Sequence, residues 1–571
     1  MTIQPWRLRR FSFQHSLLPF ISLFCICCLL VVSCSRQTQL PASQESSRIS
    51  IGTTLKLRTL DPADAYEAIS GNLLYNLGDR LYTYETGTTQ LKPQLATALP
   101  KISPDNLTYT IPLRQGVTFH DGTPFNAEAM AFSLRRFLEN GGAPSALLTS
   151  TVAKVTATGE YELTIKLKKP FAAFTPLLAF SGLCAVSPKV YEVGAGKFKP
   201  DIFVGTGPYK LTKYGTDFLL LDAFEQYWGE KPKNPGIAMQ RFSSSATLFN
   251  SFRTGAIDIA YLSLDPVQIS SLKEQAASQG WQLITGDSKT INYMVLNLKI
   301  PPLDNVLVRQ ALAATIDRSL ISDRAVLGQA DSIYSLLPKT FDSYKPVFEK
   351  AYGDGNAVKA KALLTQAGYS NNHPAKVEIW YASNSTKRSL VASTIKAVAE
   401  RELGGAMQIE LNSVEATTAY KNLDKGVYPT FLLDWYGDFL DPDNYIQPFL
   451  ECDRGSATAG CSQGASQGQG SFYYSDRANQ LIAEQRKELN LPKRKALLAE
   501  IQDILAQDVP FIPLWQDKDY AFAQKQVTGV HLEPSNGFPF WTIHKQAAVS
   551  SFPQETSQRR MGKLVRAENQ D

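Results

Sequence analysis

The spacing of hydrophobic residues alternates between two periods along the chain, which predicts both strands and helices. Apolar and polar residues alternate over 107–113 and 161–167, as in half-buried strands. Apolar positions three to four residues apart predict one helix after the capping residue Asn126 and further helices over 357–367 and 497–505. Because the order is irregular and no repeat is visible, we predict an α/β protein that is not a strict strand–helix alternation.

The first 33 residues have the organisation of a secretory signal. Three arginines and no acid occupy the amino end, an apolar run covers 17–32, and small residues lead to Cys34. This ending resembles the bacterial lipobox, in which the cysteine thiol is acylated and becomes the first residue of the mature protein. The alternative is a membrane anchor with an incidental Cys34, although a run of about 16 residues is short for a spanning helix.

Composition and charge exclude several classes of protein. The chain has 571 residues, 44% of them hydrophobic and 19% charged, which is typical of folded domains. Its net charge is +5, and three of the positive residues lie in the signal, so the remainder is nearly neutral. A nucleic-acid-binding protein usually has a strongly basic face, and we therefore expect no nucleic-acid partner.

Sequence signatures of catalysis and metal binding are sparse. Neither an H-E-x-x-H pattern nor a P-loop occurs, and the histidines beyond the signal are far apart: His120, His373, His531 and His544. His120 precedes Asp121, which is compatible with a base–carboxylate pair or, more simply, with a turn at Asp-Gly. We expect a protein that is not an enzyme.

Cysteines beyond Cys34 suggest one covalent crosslink. Cys452 and Cys461 flank a short stretch of Gly, Ser and Ala, and in an oxidising compartment they can form a disulfide. The alternative is two unpaired thiols on a flexible segment, and the low-complexity composition of 455–470 predicts a mobile loop. Cys184 lies in an apolar stretch and is expected to be buried.

A segment rich in aromatic residues and acids, 434–445, is the strongest candidate for ligand contact. Trp435 and Tyr436 offer broad contact area, and the nearby Asp438 can hold a cation such as an α-ammonium group. The alternative is that Trp435 belongs to the core, Asp438 caps a local element and the other acids are solvated.

Several segments, in the same order along the chain, are similar to one known family. The chain resembles the extracellular solute-binding proteins of family 5, which serve ABC importers of oligopeptides, dipeptides and nickel. The similar segments are residues 59–62, 95–96, 105–122, 205–209, 227–229, 254–260, 297, 301–303, 308–312, 316–318 and 360–369. Each is weakly diagnostic alone, but the ordered set spans about residues 52–515 and is specific.

The resemblance implies a two-lobed periplasmic-binding-protein-like fold of type II, large cluster, with an extra domain on the first lobe. The lobes would be joined by two crossing strands and would close on a ligand. The implied organisation is a signal peptide 1–33, a tether 34–48, lobe 1 from 49–80, 204–290 and 516–545, an extra domain 81–203, lobe 2 from 291–515, and a disordered tail 546–571.

The resemblance also implies a function. We expect a monomeric, lipid-anchored extracytoplasmic protein without metal or cofactor, which delivers a short peptide to an ABC permease. In peptide-binding members an aspartate in the segment matching 435–438 pairs with the ligand's α-ammonium group, and Asp438 matches it. The residue that holds the ligand's carboxylate lies in no motif that we can place. A nickel-chelate binder is an alternative, although His373 and His531 lie in no site motif. Binders of an oligosaccharide or another solute in the same family, a secreted hydrolase, and a peptide-sensing or chaperone lipoprotein without its own permease are the others.

We predict that Cys34 is acylated after signal cleavage. Cys34→Ala should release the protein from the membrane fraction or leave its signal uncut, because the thiol is the acceptor of the lipid. Mass spectrometry of the wild-type amino terminus checks this, and an unlipidated wild-type protein in the cytoplasm would contradict it.

Overall fold

The computed structural model describes residues 48–535 and 537–546. The predicted signal, Cys34 and residues 547–571 of the predicted tail lie outside the described residues. Within the described ranges, no helix combines the length and apolarity needed to cross a membrane.

The described residues form twenty-one strands. In chain order they are β1 Ile49–Thr53, β2 Tyr82–Tyr84, β3 Leu91–Pro93, β4 Lys101–Ile102, β5 Thr108–Pro112, β6 Val152–Gly159, β7 Glu162–Leu167, β8 Tyr209–Tyr214, β9 Phe218–Ala223, β10 Gly236–Arg241, β11 Ile259–Tyr261, β12 Gln282–Leu296, β13 Ala330–Ser332, β14 Ala375–Ala382, β15 Met407–Val414, β16 Thr430–Trp435, β17 Arg454–Ser456, β18 Gly460–Gln463, β19 Phe511–Ala523, β20 Val527–Thr528 and β21 His544–Lys545.

Sixteen α-helices accompany these strands in the described residues. They are α1 Ala68–Leu77, α2 Ala127–Glu139, α3 Ala146–Thr149, α4 Phe174–Leu177, α5 Ser245–Arg253, α6 Pro266–Gln279, α7 Val306–Thr315, α8 Arg318–Ile321, α9 Val347–Tyr352, α10 Ala357–Gln366, α11 Thr386–Leu403, α12 Ala416–Leu423, α13 Gln447–Leu450, α14 Ala465–Gly468, α15 Asp476–Lys487 and α16 Leu491–Asp508. The predicted strands correspond to β5 and β7, and the predicted helices correspond to α2, α10 and α16.

Eleven strands join in one mixed sheet. Its order is β15-β14-β16-β12-β19-β11-β1-β10-β9-β8, and β13 also pairs with β19. A separate four-stranded antiparallel sheet has the order β4-β5-β7-β6. In that small sheet Tyr109 and Ile111 pair with Ile165 and Leu163, and all four side chains are buried, which is the alternation that the sequence predicts.

Two long antiparallel strands, β12 and β19, run through the centre of the large sheet. Residues 282–287 of β12 pair with 518–523 of β19, and residues 291–295 pair with 511–516. Between these stretches, Ser288, Lys289 and Thr290 face the single residue Asp517, so the ladder is interrupted by a bulge. A bulge leaves backbone groups unpaired and bends the strand, and this one lies where the two halves of the sheet meet.

Buried apolar side chains form separate clusters on either side of this crossing. Residues between 291 and 515 form the cluster that we call lobe 2. Residues of 49–77, 184–261 and 521–543 form the cluster that we call lobe 1, and residues between 81 and 185, around the small sheet, form that of the extra domain. The domain boundaries that the family resemblance implies stay predictions.

The segment 455–470 is an ordered structure, and the mobile loop predicted for it is wrong. It contains β18, most of the hairpin with β17, and α14. Cys452 and Cys461 are joined by a disulfide with their Cα atoms 5.7 Å apart. The buried Ser466 hydroxyl donates to the carbonyl of Tyr473. Small residues here permit close backbone packing, which composition alone cannot distinguish from flexibility.

We predict that the Cys452–Cys461 disulfide stabilises the folded protein by at most about 2–3 kcal/mol, because it closes a short loop. The double variant Cys452→Ser/Cys461→Ser should lose no more than this from the free energy of unfolding in urea. Non-reducing peptide mapping tests the bond itself, and two alkylatable thiols in the secreted protein would contradict it.

Candidate functional site

A cavity of about 440 Å³ opens between lobe 1, lobe 2 and the extra domain. Residues 65–67 and α1 contribute to one wall, and residues 434–440 contribute to another. Its lining residues are Ala65, Tyr66, Glu67, Ala68, Gly71, Tyr75, Thr83, Tyr84, Ala179, Phe180, Ser181, Thr290, Asp434, Trp435, Tyr436, Gly437, Asp438, Phe439, Leu440, Ser535 and Gly537. Three of the lining residues are acidic, none is basic, and seven are aromatic.

Strand β16 delivers the segment 435–438 to the cavity. Its last residue, Trp435, pairs with Ile291 of β12, and its ring packs against Phe449 with centroids 5.6 Å apart. The chain then turns closely over Tyr445: a Cβ on Gly437 would lie 2.2 Å from the Tyr445 hydroxyl oxygen, so only glycine fits. Tyr436 is 40% exposed and lies in the wall.

Asp438 is held by neutral hydrogen-bonding groups. Its backbone N–H donates to Asn444 Oδ1 at 2.8 Å, and Asn444 Nδ2 donates to its carboxylate at 3.2 Å. The Tyr66 hydroxyl lies near the carboxylate, and burial together with the Asp438 charge raises the pKa of Tyr66. Burial raises the pKa of Asp438, while its interactions with Tyr66 and Asn444 oppose the rise. The site therefore confines a carboxylate without supplying a compensating cation.

The other two acids of the cavity wall are compensated. Glu67 forms an ion pair with Arg58, and Asp434 forms one with Arg388. Among the residues that the structure describes, no Lys, Arg or His forms an ion pair with Asp438. This carboxylate is thus the one in the wall that is best suited to receive a cationic group from a ligand.

The remaining acids of the segment support the fold. Arg494 binds both carboxylate oxygens of Asp441, at 2.7 and 2.5 Å, and both side chains are buried. Asp443 is buried beside Arg486 and accepts from Gln485, and burial raises its pKa to about 6. Of the alternatives left open by the sequence, solvated acids are therefore wrong for Asp441 and Asp443.

The predicted catalytic candidates form no catalytic arrangement. His120 Nε2 lies 3.0 Å from the carbonyl of Gly207, and burial lowers the pKa of this imidazole to about 4, whereas Asp121 accepts from Ser187. The base–carboxylate pair is therefore not formed, whereas the predicted turn at Asp121-Gly122 is present, with the N–H of Gly122 donating to the carbonyl of Phe119 at 2.9 Å. His373 stacks on Tyr369. None of the described histidines lines the cavity.

Residues 464–468 match the pattern G-x-S-x-G, which in hydrolases exposes a nucleophilic serine on a strand-to-helix turn. Here Ser466 is fully buried, lies within α14 and donates to a carbonyl. In the described part of the chain, no group of three or more His, Cys, Asp or Glu side chains is arranged to hold a metal ion.

Several residues that line the cavity lie in no segment that the sequence predicts to contact a ligand. Tyr66, Tyr75 and Phe180 come from lobe 1 and the extra domain, and Thr290 comes from the bulge of β12. Tyr66 follows the family-like segment 59–62 by four residues, which was the only available signal. The others are brought to the cavity by long-range packing.

Lobe 2 also contacts the extra domain beside the cavity. The rings of Phe171 and Phe439 meet edge to face, with centroids 6.3 Å apart. The backbone N–H of Ala172 donates to the carbonyl of Arg486 at 2.6 Å, and the Arg486 guanidinium lies 4.7 Å from the Phe171 ring centroid. A separation of lobe 2 from the extra domain would break these contacts.

Comparison with known proteins identifies one family. The family described as "Bacterial extracellular solute-binding proteins, family 5 Middle" matches residues 90–457. The chain is 27% identical to the glutathione-binding protein GsiB of Escherichia coli strain K12 over 493 residues, which cover 84% of this chain and 91% of the relative. The GsiB of Salmonella typhi gives the same identity and coverage.

Solved structures share the fold. CtaP, an ABC transporter substrate-binding protein of Listeria monocytogenes, is 21% identical with a TM-score of 0.76, covering 88% of this chain and 99% of that one. DppA of Helicobacter pylori in complex with the peptide STSA is 24% identical with a TM-score of 0.70, covering 89% and 100%. The predicted periplasmic-binding-protein-like fold is confirmed.

Proposed function

The chain belongs to the bacterial extracellular solute-binding proteins of family 5, and we propose that it captures a short peptide in the cavity between its lobes for delivery to an ABC permease. The observation that carries this proposal is the position of Asp438: a carboxylate in an aromatic wall, held by neutral donors, with no cation of its own among the described residues. The ligand's α-ammonium group would supply that cation.

The cavity suits a small peptide in size and composition. About 440 Å³ lies within the range of small-molecule sites. Its wall includes three tyrosines, which offer apolar surface together with hydroxyl groups: Tyr66, Tyr75 and Tyr436. Such a surface can accommodate ligand side chains of different kinds. Relatives that bind glutathione and a neighbour bound to a peptide support the same ligand class.

Binding would favour the closed arrangement of the lobes. A ligand that touches both walls gains those contacts only when the walls are close, so it shifts the population toward closure by its differential affinity. The bulge at 288–290 is where the crossing strands can bend with little loss of ladder pairing.

We place the mature protein outside the cytoplasm, anchored through lipid on Cys34 by the tether 34–48, where it would present the loaded, monomeric form to the permease.

The alternatives have weaker support. A nickel chelate or an oligosaccharide would leave Asp438 without its cation, and a hydrolase would need a nucleophile or acid–base pair that the described cavity wall does not show. We retain nickel chelate as the second candidate because the neighbouring structure NikZ of Campylobacter jejuni, 22% identical, is in complex with Ni(L-His).

We predict that the purified protein retains or takes up a peptide without converting it. Native mass spectrometry should show an added mass of a few hundred daltons that stays unchanged with time. Loss of that mass with the appearance of smaller products would identify an enzyme instead.

We predict that Asp438→Asn lowers the affinity for that peptide by about 150- to 5,000-fold, because breaking one side of a buried charge pair costs about 3–5 kcal/mol. Calorimetry measures the affinity. Thermal unfolding of the ligand-free variant should be nearly unchanged, since burial already disfavours the Asp438 charge.

Two controls accompany this measurement. Asp453→Asn removes an equal charge from an exposed position of lobe 2 outside the cavity and should bind normally. An N-acetylated peptide lacks the ammonium group and should bind wild type and Asp438→Asn with similarly low affinity. Binding of the free peptide by Asp438→Asn within about threefold of wild type would refute the assignment.

A further inference from the structure

The extra domain is attached firmly to lobe 1. The guanidinium of Arg136 in α2 donates to both carboxylate oxygens of Asp61, at 2.7 and 2.5 Å, and both side chains are buried. The backbone N–H of Ala185 donates to the carbonyl of Asp79 at 2.9 Å. Breaking a buried ion pair is costly, so the extra domain moves with lobe 1. Its contacts with lobe 2 must therefore form and break as the lobes close and open.

One of these contacts is a backbone hydrogen bond to the end of a helix. The N–H of Ala172, just before α4, donates to the carbonyl of Arg486 at 2.6 Å. Arg486 lies in the last turn of α15, where the carbonyls of a helix have no partner within it. The extra domain thus supplies a cap for a helix of lobe 2.

The side chain of Arg486 forms a second contact. Its guanidinium lies 4.7 Å from the ring centroid of Phe171, which precedes Ala172. Lobe 2 positions this cation through two acids, Asp443 at 3.2 Å and Glu451 at 3.8 Å. A cation over an aromatic face is attractive, and more so where water is excluded. Arg486 therefore presents a prepared surface to the extra domain.

Phe439 forms the third contact, and it belongs to the segment that carries Asp438. Although its neighbours in the chain belong to lobe 2, its ring is 8% exposed and packs in the buried cluster of the extra domain. There it meets the ring of Phe171, which is 4% exposed, edge to face. Separation of the lobes would expose both rings to water, which opposes opening.

We propose that Phe171 and Ala172 form a clasp, which binds lobe 2 at Phe439 and Arg486 when the lobes close and so sets how long a bound peptide is retained. The inference rests on the proposed function, because it assumes that the cavity holds a peptide. In the described structure, Phe171, Ala172 and Arg486 do not line the cavity. The clasp therefore acts on release without touching the ligand, and it contributes nothing until the lobes have closed.

The test uses the full mature protein and an equimolar pool of synthetic tripeptides, from which native mass spectrometry selects one that binds. Stopped-flow tryptophan fluorescence, to which Trp435 in the cavity wall contributes, then measures the association and dissociation rate constants of that tripeptide. The variants are Arg486→Lys, Phe171→Leu and their combination. Lysine keeps the charge beside Asp443 but lacks the flat face that stacks on a ring.

Each variant has a matched control. Arg477→Lys makes the same change in the same helix, where Arg477 is exposed and paired with Glu500. Phe125→Leu makes the same change in the core of the extra domain, where the Phe125 ring packs against Phe119. Thermal unfolding shows whether each variant is folded. If Phe171→Leu does not fold, Arg486→Lys alone decides the test.

We expect Arg486→Lys and Phe171→Leu each to release the tripeptide about 3- to 10-fold faster than wild type, which is the usual worth of one such contact. The association rate constant should stay within about twofold, because capture precedes closure. The double variant should release the tripeptide more slowly than the product of the single effects implies, since both changes break the same contact. Both controls should release it within about twofold of wild type.

Hydrogen–deuterium exchange gives a direct reading of the contact. The bound tripeptide should slow exchange of the Ala172 amide in wild type, and should slow it less in Arg486→Lys.

Equal release rates in Arg486→Lys and Arg477→Lys, or an Ala172 amide that exchanges equally with and without the tripeptide, would overturn the inference while the proposed function stands. If no tripeptide binds wild type, the proposed function fails and the inference fails with it.

Discussion

The pairing of β12 with β19 is the constraint on which the rest of the molecule depends. Both strands contribute to the ladder on each side of their crossing, so the clusters of lobe 1 and lobe 2 are attached to one continuous sheet. The largest interruption of the ladder is at 288–290, opposite Asp517, and a smaller register shift follows between Asn292 and Tyr293. A change in the angle between the lobes that preserves their packing must be absorbed there, and Thr290 of this bulge is part of the cavity wall.

The acidic side chains near the crossing differ in whether a basic residue of the protein pairs with them. Those with such a partner stabilise the fold, and one without it can pair with a ligand. Asp441 has a two-pronged partner in Arg494, and Asp517 accepts from Lys387, Asn292 and Trp515. Asp438 has neutral donors only. A buried charge with a matched partner maintains a fold, whereas one without a partner favours whatever molecule supplies the counter-charge. The contrast between Asp441 and Asp438, three residues apart, therefore directs attention to Asp438.

Much of the fold could be predicted from the sequence, because its signals are local. The alternation in β5 and β7 and the cap at Asn126 follow from spacing within a few residues, and the ordered family-like segments indicated the two-lobed architecture. The site was only partly predictable. Its aromatic and acidic segment is contiguous, but the partners that distinguish Asp438 from Asp441, namely Tyr66 and Arg494, lie hundreds or tens of residues away. Likewise the bulge at Lys289 depends on register with β19, which the residues 282–296 alone do not reveal. The composition of 455–470 predicted a mobile loop, whereas the glycine and serine residues of this segment permit close packing of an ordered backbone.

The Tyr445 hydroxyl has a consequence for the order of events during capture. Because it binds the Lys289 carbonyl and packs against Gly437, it connects the bulge, where the crossing strands can bend, to the segment that bears Asp438. Under the proposed function, Asp438 would hold the ammonium group of a peptide on lobe 2 before lobe 1 contributes. Tyr66 lines the cavity from the side of lobe 1 and would complete the surroundings of that carboxylate when the lobes close. Closure would thus follow recognition of the ammonium group, and a ligand without one would be rejected by lobe 2 rather than by the closing motion.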